Sequence, residues 1–472
     1  MTDRARALLA TLAPGYEELP APAATASGDG PLGWPGYGDS RARAAERTGE
    51  SESMVCAVGR VGGDGNGALS GIVTSGGAGT PGRTDRSSGT EAVLLASEFG
   101  FLGGSLGEAT GDRVVAAHTW ARARRLPVVS LVATGGSRMQ EGMRALTQLQ
   151  RVARETVLTR RAGLPQIAVL RDPSTGGGWA TLGAGADVVL ALTGAQIGFA
   201  GSRVRPAGAD PYAYTAEGQY GNGHVDRVVS AAALPGVLAR WLTLLSAPPA
   251  APYRPEPPHA LTRGPAPSGG PEAVRRARAP ERPRAQGYLD TYFDWREEVR
   301  GDRSGGVDPG MLCGFGRRAG RTVAYAAQCG TANSPAGFRT AARLIRTADR
   351  LGVPVLTLVD TPGAANDAAA EAAGAGPAIA EAFAAVAEAT VPVTSLLIGE
   401  GGSGGALALT APGHLWVTPD SYFSVIAPEL AAAILKRPPS ALDATTDALR
   451  LRPQDAVELG VARGFAPARD GR

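Results

Sequence analysis

The stretch Gly399-Glu400-Gly401-Gly402-Ser403-Gly404-Gly405-Ala406 is equipped for chemistry without a reactive side chain. It follows the apolar run Pro392-Val393-Thr394-Ser395-Leu396-Leu397-Ile398 and precedes the small-residue run Ala406-Leu407-Ala408-Leu409. Such a pattern predicts a strand, a glycine turn and a helix start. Glycine lets the backbone approach a ligand closely. The first N–H groups of a helix have no intrahelical acceptor and point outward. Together they predict a donor pocket for an anion or an oxyanion.

The same pattern occurs twice. Strand-starting prolines fall at Pro127 and Pro165, then at Pro354 and Pro392, each pair 227 residues apart (354 − 127 and 392 − 165). At that offset, without a gap, Gly177-Gly178 map onto Gly404-Gly405, and Thr134 and Gly136 map onto Thr361 and Gly363. A long-period pair of this kind predicts two copies of one domain.

The elements that must position these turns alternate strand and helix in each half. In the first half the strands are predicted at Val55–Val61, Glu91–Phe101, Pro127–Ala133, Pro165–Leu170 and Val188–Leu192, with helices at Gly111–Arg125 and from about Gly142 to Arg161. In the second they fall at Arg321–Ala327, Pro354–Val359, Pro392–Ile398 and Ser421–Ile426, with helices at Ala336–Arg350 and Pro377–Ala389. This alternation predicts an α/β fold with a mostly parallel sheet. The organisation read from it is an N-terminal extension at 1–45, a first domain at 46–247, a Pro/Arg-rich linker at 248–285 and a second domain at 286–472. Gly62–Gly89 is Gly/Ser/Thr-rich and reads as a mobile insertion.

Composition removes several alternatives. The chain of 472 residues is 43% hydrophobic, which suffices for two or three domains. A net charge of +3 does not argue for nucleic acid. Lys436 is the only lysine, so no P-loop exists, and a biotin-bearing or Schiff-base lysine would have to be that one. Cys56, Cys313 and Cys329 form no Cys-x-x-Cys, so no metal is predicted. No apolar run approaches the roughly 18 residues of a membrane span, and no secretory leader is evident, so a cytoplasmic, reducing setting is expected. Gly399-x-Gly401-x-x-Gly404 fits the dinucleotide fingerprint, with Asp420 about 20 residues on. Asp420 precedes its strand rather than ending it, and the matching turn of the first half lacks the fingerprint, so that reading is set aside. None of His118, His224, His259 and His414 accompanies a nucleophile elbow.

At these residues a resemblance enters. Phe101–Gly107, Gly135–Gly142, Asp172-Pro173-Ser174-Thr175-Gly176-Gly177 and Ile197-Gly198-Phe199-Ala200-Gly201 resemble the carboxyltransferase β subunit of bacterial acetyl-CoA carboxylase. Asp360-Thr361-Pro362-Gly363-Ala364, Ile398–Leu407 and Tyr422–Glu429 resemble its α subunit. The chain therefore looks like a β–α fusion over about 36–230 and 288–465.

The resemblance implies two crotonase-type domains in tandem. It also implies transfer of CO2 from carboxybiotin, delivered by a separate biotin carboxyl carrier protein that a biotin carboxylase loads, to the α-carbon of an acyl-CoA. By resemblance, Gly135 and Gly136 in one half and Gly404 and Gly405 in the other carry the oxyanion-holding N–H groups. Gly103, Gly104, Gly177, Gly178, Gly363, Gly401 and Gly402 would line the substrate, and Arg138 and Arg339 would take CoA phosphates. A homo-oligomer is implied, with sites formed by the β-type half of one protomer and the α-type half of another. Two departures stand out: the family's four-cysteine zinc ribbon is missing, and Gln328-Cys329-Gly330-Thr331-Ala332-Asn333 replaces a longer basic stretch. Two rivals share the same pocket: decarboxylation of a malonyl-type thioester, and a non-catalytic carboxylase subunit.

Overall fold

The computed structural model describes residues 4–22, 28–62, 89–246, 253–262 and 264–468. Residues 63–88, most of the expected insertion, lie outside the described residues. The chain divides into two units, Met1–Ser246 and Ala247–Arg472.

The first unit holds β1 (Glu17–Glu18), β2 (Met54–Val61), β3 (Thr90–Ser97), β4 (Val128–Thr134), β5 (Gln166–Thr175), β6 (Val188–Leu192), β7 (Ile197–Gly198) and β8 (Arg227–Val229). They form one sheet in the order β1-β2-β3-β4-β5-β6-β8, with β7 beside β5. β1, β2 and β3 pair antiparallel, and every later pair is parallel. All seven residues of β4 are buried, as an unbroken apolar run in a two-sided parallel sheet should be. The helices Glu108–Arg124 and Gly142–Arg161 bring Val114, Ala117, Ala121 and Val152 onto Val93, Leu95 and Val128.

The second unit repeats this topology. Its strands are β9 (Trp295–Val299), β10 (Met311–Arg318), β11 (Arg321–Gln328), β12 (Val355–Thr361), β13 (Val393–Gly402), β14 (Leu415–Val417), β15 (Tyr422–Ser424) and β16 (Gly464–Phe465). Their order is β9-β10-β11-β12-β13-β14-β16, with β15 beside β13. The register also repeats. Val128 pairs with Gln166 and Val355 with Val393, and each ladder shifts at the same place, before Thr134↔Ser174 and Thr361↔Gly401. The prolines work alike too: carbonyls of Pro127 and Pro165 accept from Val93 and Val128, and those of Pro354 and Pro392 from Ala324 and Val355. A residue without an N–H suits the first rung of a strand, where only its carbonyl is needed.

Three expectations change. The stretch read as a linker is built into the second unit where it is described: Gly270–Arg278 is a helix whose Ala273 and Ala277 pack with Tyr422 and Leu451, and Arg254 donates to the Val393 carbonyl. The N-terminal extension is anchored, since Leu9, Leu12 and Tyr37 are buried on the helices Ala5–Leu12 and Tyr37–Thr48. β9 and β10 were not anticipated; Gly314 and Gly316 hide the strand pattern of β10, and their absent side chains admit Tyr325 and Phe293. No helix among the described residues is long and apolar enough to cross a membrane.

One buried group ties the first unit to pH. His118 Nδ1 lies 2.9 Å from Thr159 Oγ1, and burial, aided by the Arg122 charge, pushes its pKa from 6.5 down to about 3. Between those values the unfolded chain binds a proton that the native state does not, so stability falls as pH drops below 6.5. His118 should remove about 2 kcal/mol between pH 7 and pH 5. Urea denaturation at both pH values should show that loss in the wild type and a smaller one in His118→Gln; equal losses would refute the assignment.

Candidate active site

The two turns rest on one construction. At the end of β4, the Thr134 hydroxyl accepts the Gly136 N–H at 3.0 Å; at the end of β12, the Thr361 hydroxyl accepts the Gly363 N–H at 3.1 Å. Both threonines are fully buried. The neighbouring strands, β5 and β13, then bend sharply. Gly176 (φ 62°) and Ser403 (φ 54°) occupy matching positions, each left-handed and each the first residue of a short helix, Gly176–Gly178 and Ser403–Leu407. A left-handed serine costs about 1–2 kcal/mol, and such strain concentrates where function needs a fixed backbone.

The bend sets the next amides at a helix start. Gly177, Gly178, Gly404 and Gly405 donate their N–H groups to no described acceptor outside their own helices, and first-turn amides have none within. Gly404 is half-buried with ordinary φ, yet a Cβ added there would meet nothing within 4 Å. The space beside its Cα is therefore open. Beside each turn a side chain of the adjoining segment stands exposed, Phe199 and Val425.

The expected roles divide accordingly. Gly135 and Gly136 do not present free amides: Gly135 donates to the Gly103 carbonyl at 2.8 Å and Gly136 to Thr134. The free pair of the first unit is Gly177-Gly178, the pair that matches Gly404-Gly405 in the repeat. Gly103 supplies that accepting carbonyl, while Gly104 leaves room for the Ala133 carbonyl. Gly363 has φ 143° beside the Gly402 carbonyl. Gly401 and Gly402 are gaps in the packing, since a Cβ would strike Phe423 at one and Pro362 backbone at the other, 2.1 Å away.

Neither predicted phosphate ligand is free. Arg138 is 1% exposed and bonds Glu52, the Tyr37 hydroxyl, Glu141 and the Ser105 carbonyl. Burial alone would raise the Glu52 pKa, but the Arg138 hydrogen bonds and charge outweigh it and hold the carboxyl below its usual range. A guanidinium so enclosed organises the loop rather than meeting a ligand. Arg339 spans Asp302 at 2.7 Å and the Ala373 carbonyl at 3.0 Å, so its charge is already matched. Sequence reading also missed a buried group behind the second turn, Arg282, Asp360 and Gln328. Asp360 stood in a quoted motif, but Arg282 was concealed by the reading of its surroundings as a linker.

Known proteins are similar to this chain in sequence and in fold. Residues 71–226 match the family model described as carboxyl transferase domain, and residues 270–466 the one described as acetyl co-enzyme A carboxylase carboxyltransferase-like. The acetyl-coenzyme A carboxylase carboxyl transferase subunits beta/alpha of Salinispora tropica are 40% identical over 403 residues, covering 80% of this chain and 71% of the relative. Those of Saccharopolyspora erythraea are 35% identical over 460 residues, covering 91% and 75%. A probable biotin-dependent acyl-coenzyme A carboxylase β3 subunit of Mycobacterium bovis is 32% identical, covering 80% and 78%. Among solved structures, a transcarboxylase 12S crystal structure aligns with TM-score 0.76 at 19% identity, covering 98% of this chain and 86% of that one. A single-chain, multi-domain long-chain acyl-CoA carboxylase aligns with TM-score 0.72 at 19% identity, covering 98% and 44%. The repeated sheet is thus the crotonase-like fold twice over, and the chain belongs to the acetyl-CoA carboxylase carboxyl transferase family, with a β-type unit followed by an α-type unit.

Proposed function

We propose that this chain is the carboxyltransferase component of a biotin-dependent acyl-CoA carboxylase, acting on acetyl-CoA or a similar acyl-CoA and yielding a malonyl-type thioester. The observation that carries the reading is the matched pair of turns, Gly177-Gly178 and Gly404-Gly405, whose amides have no described acceptor. Carboxybiotin, delivered by a separate carrier protein that a biotin carboxylase loads, supplies the carboxyl group when bound. The residues present fit such a reaction: the strand-end amides offer fixed donors, with Gly404 bordering open space. One turn would hold the thioester oxygen as it gains enolate charge, and the other the ureido oxygen of biotin. Preorganised donors of this kind need no reorientation as charge develops, and losing one typically costs about 100- to 1,000-fold in rate. The exposed Phe199 and Val425 offer an incoming substrate apolar surface beside each turn.

The direct test supplies purified chain with biotin carboxylase, carrier protein, ATP, bicarbonate and acetyl-CoA or propionyl-CoA. Carboxylated thioester should form only when the chain is present; ATP use without that product would contradict the reading. Consumption of malonyl-CoA by the chain without biotin would favour a lyase instead.

Two alanine variants separate the site from its scaffold. Gly404→Ala adds a methyl into open space at an ordinary φ, so the fold should hold while carboxyl transfer falls at least about tenfold. Gly402→Ala drives a methyl into the Pro362 backbone, so its melting temperature should drop first. Wild-type turnover by a folded Gly404→Ala protein would remove this turn from the site.

A further inference from the structure

Behind the second turn lies a buried polar network centred on a carboxylate; in the first unit a buried guanidinium, Arg171, bonds the Ser97 and Leu131 carbonyls instead. Asp360, at the end of β12, is fully buried, and Oδ1 accepts from Arg282 Nη2 at 2.5 Å and from the Glu400 N–H at 3.1 Å. Arg282 is 6% exposed and also donates from Nη1 to the Ile398 carbonyl at 3.2 Å and from Nε to the Ala277 carbonyl. The guanidinium thus spans β12 and β13 just before the glycine turn. Gly399 must lack a side chain because a Cβ there would lie 2.2 Å from Arg282 Nη2 and 2.3 Å from Asp360 Oδ1.

The network continues to the turn itself. The Asp360 N–H donates to Gln328 Oε1 at 3.3 Å, and Gln328 Nε2 donates to the Gly405 carbonyl at 3.0 Å. Gln328 is fully buried at the end of β11. A chain of hydrogen bonds therefore runs from Arg282 through Asp360 and Gln328 to the peptide group beside the open amides. In the first unit Ala133 stands where Asp360 does, and Ser97 ends β3 as Gln328 ends β11, so this carboxylate–amide relay is not repeated there.

We propose that Arg282, Asp360 and Gln328 are positioning residues that fix the orientation of the Gly404-Gly405 amides for carboxyl transfer. This rests on the reading of that turn as an oxyanion holder. A planar guanidinium suits the task, because its fork reaches a carboxylate and a carbonyl on two strands at once. None of the three need touch substrate. Their effect is on alignment, and a misplacement of about 1 Å can cost 100-fold in rate.

The test measures kcat, acyl-CoA KM and melting temperature of the full chain, using malonyl-CoA and free biotin in the reverse direction. Gln328→Met removes the bond to Gly405 without stranding a charge. It should lower kcat at least about tenfold while acyl-CoA KM stays within about twofold and the protein remains folded. The pair R282M/D360L removes both buried charges together, leaving the half-buried Arg284, which also meets Asp360 Oδ2 at 3.4 Å, to solvent, and should give the same split; Arg282→Lys should fall between it and wild type. Wild-type kcat in Gln328→Met, or a loss that merely tracks the folded fraction, would overturn the proposal. Gly404→Ala serves as the control on the underlying reading. If it is inactive while Gln328→Met is not, the positioning role alone fails; if it retains full activity, the oxyanion reading fails first.

Discussion

A backbone N–H that borders a packed interior without an acceptor costs about 1–3 kcal/mol unless something else receives it. Each unit of this chain leaves such a pair in the same place, at Gly177-Gly178 and Gly404-Gly405, while the amides around them are satisfied. Gly135 bonds Gly103, Gly136 bonds Thr134, Gly176 bonds the Phe199 carbonyl and Gly363 bonds Thr361. The open donors are therefore the product of specific surroundings, not of loose chain. A transient negative oxygen is the acceptor we propose for them.

The surroundings that enforce this differ between the units although the topology does not. In the first, Ser174 and Thr175 hydroxyls reach back to the Val132 and Thr134 carbonyls, and buried Arg138 stitches the neighbouring loop to Glu52. In the second, Arg282, Asp360 and Gln328 do the stitching from behind. The two units thus support one turn geometry with different side chains.

Much of this architecture is legible in the sequence. The spacing of 227 residues between proline-started strands and glycine turns anticipates the matched registers of β4–β5 and β12–β13 and equates Gly177-Gly178 with Gly404-Gly405. The repeat equated Gly177-Gly178 with Gly404-Gly405, whereas resemblance carried the oxyanion role to Gly135 and Gly136, whose amides bond Gly103 and Thr134. Long-range pairing was not legible. Arg138 in a glycine-rich turn reads as a phosphate ligand, and only the fold reveals Glu52, 86 residues earlier, against it. Arg282 suffered the opposite error: proline and arginine density reads as tether, yet the side chain is sealed under β13.

The central claim concerns where two oxygens sit. A crystal structure of the chain with a non-hydrolysable acyl-CoA enolate analogue and biotin bound would decide it. The thioester oxygen should lie about 2.7–3.2 Å from an amide nitrogen of one glycine pair, with the ureido oxygen equally close to the other. Both oxygens bound elsewhere, with all four amides of Gly177, Gly178, Gly404 and Gly405 facing only water, would contradict the account.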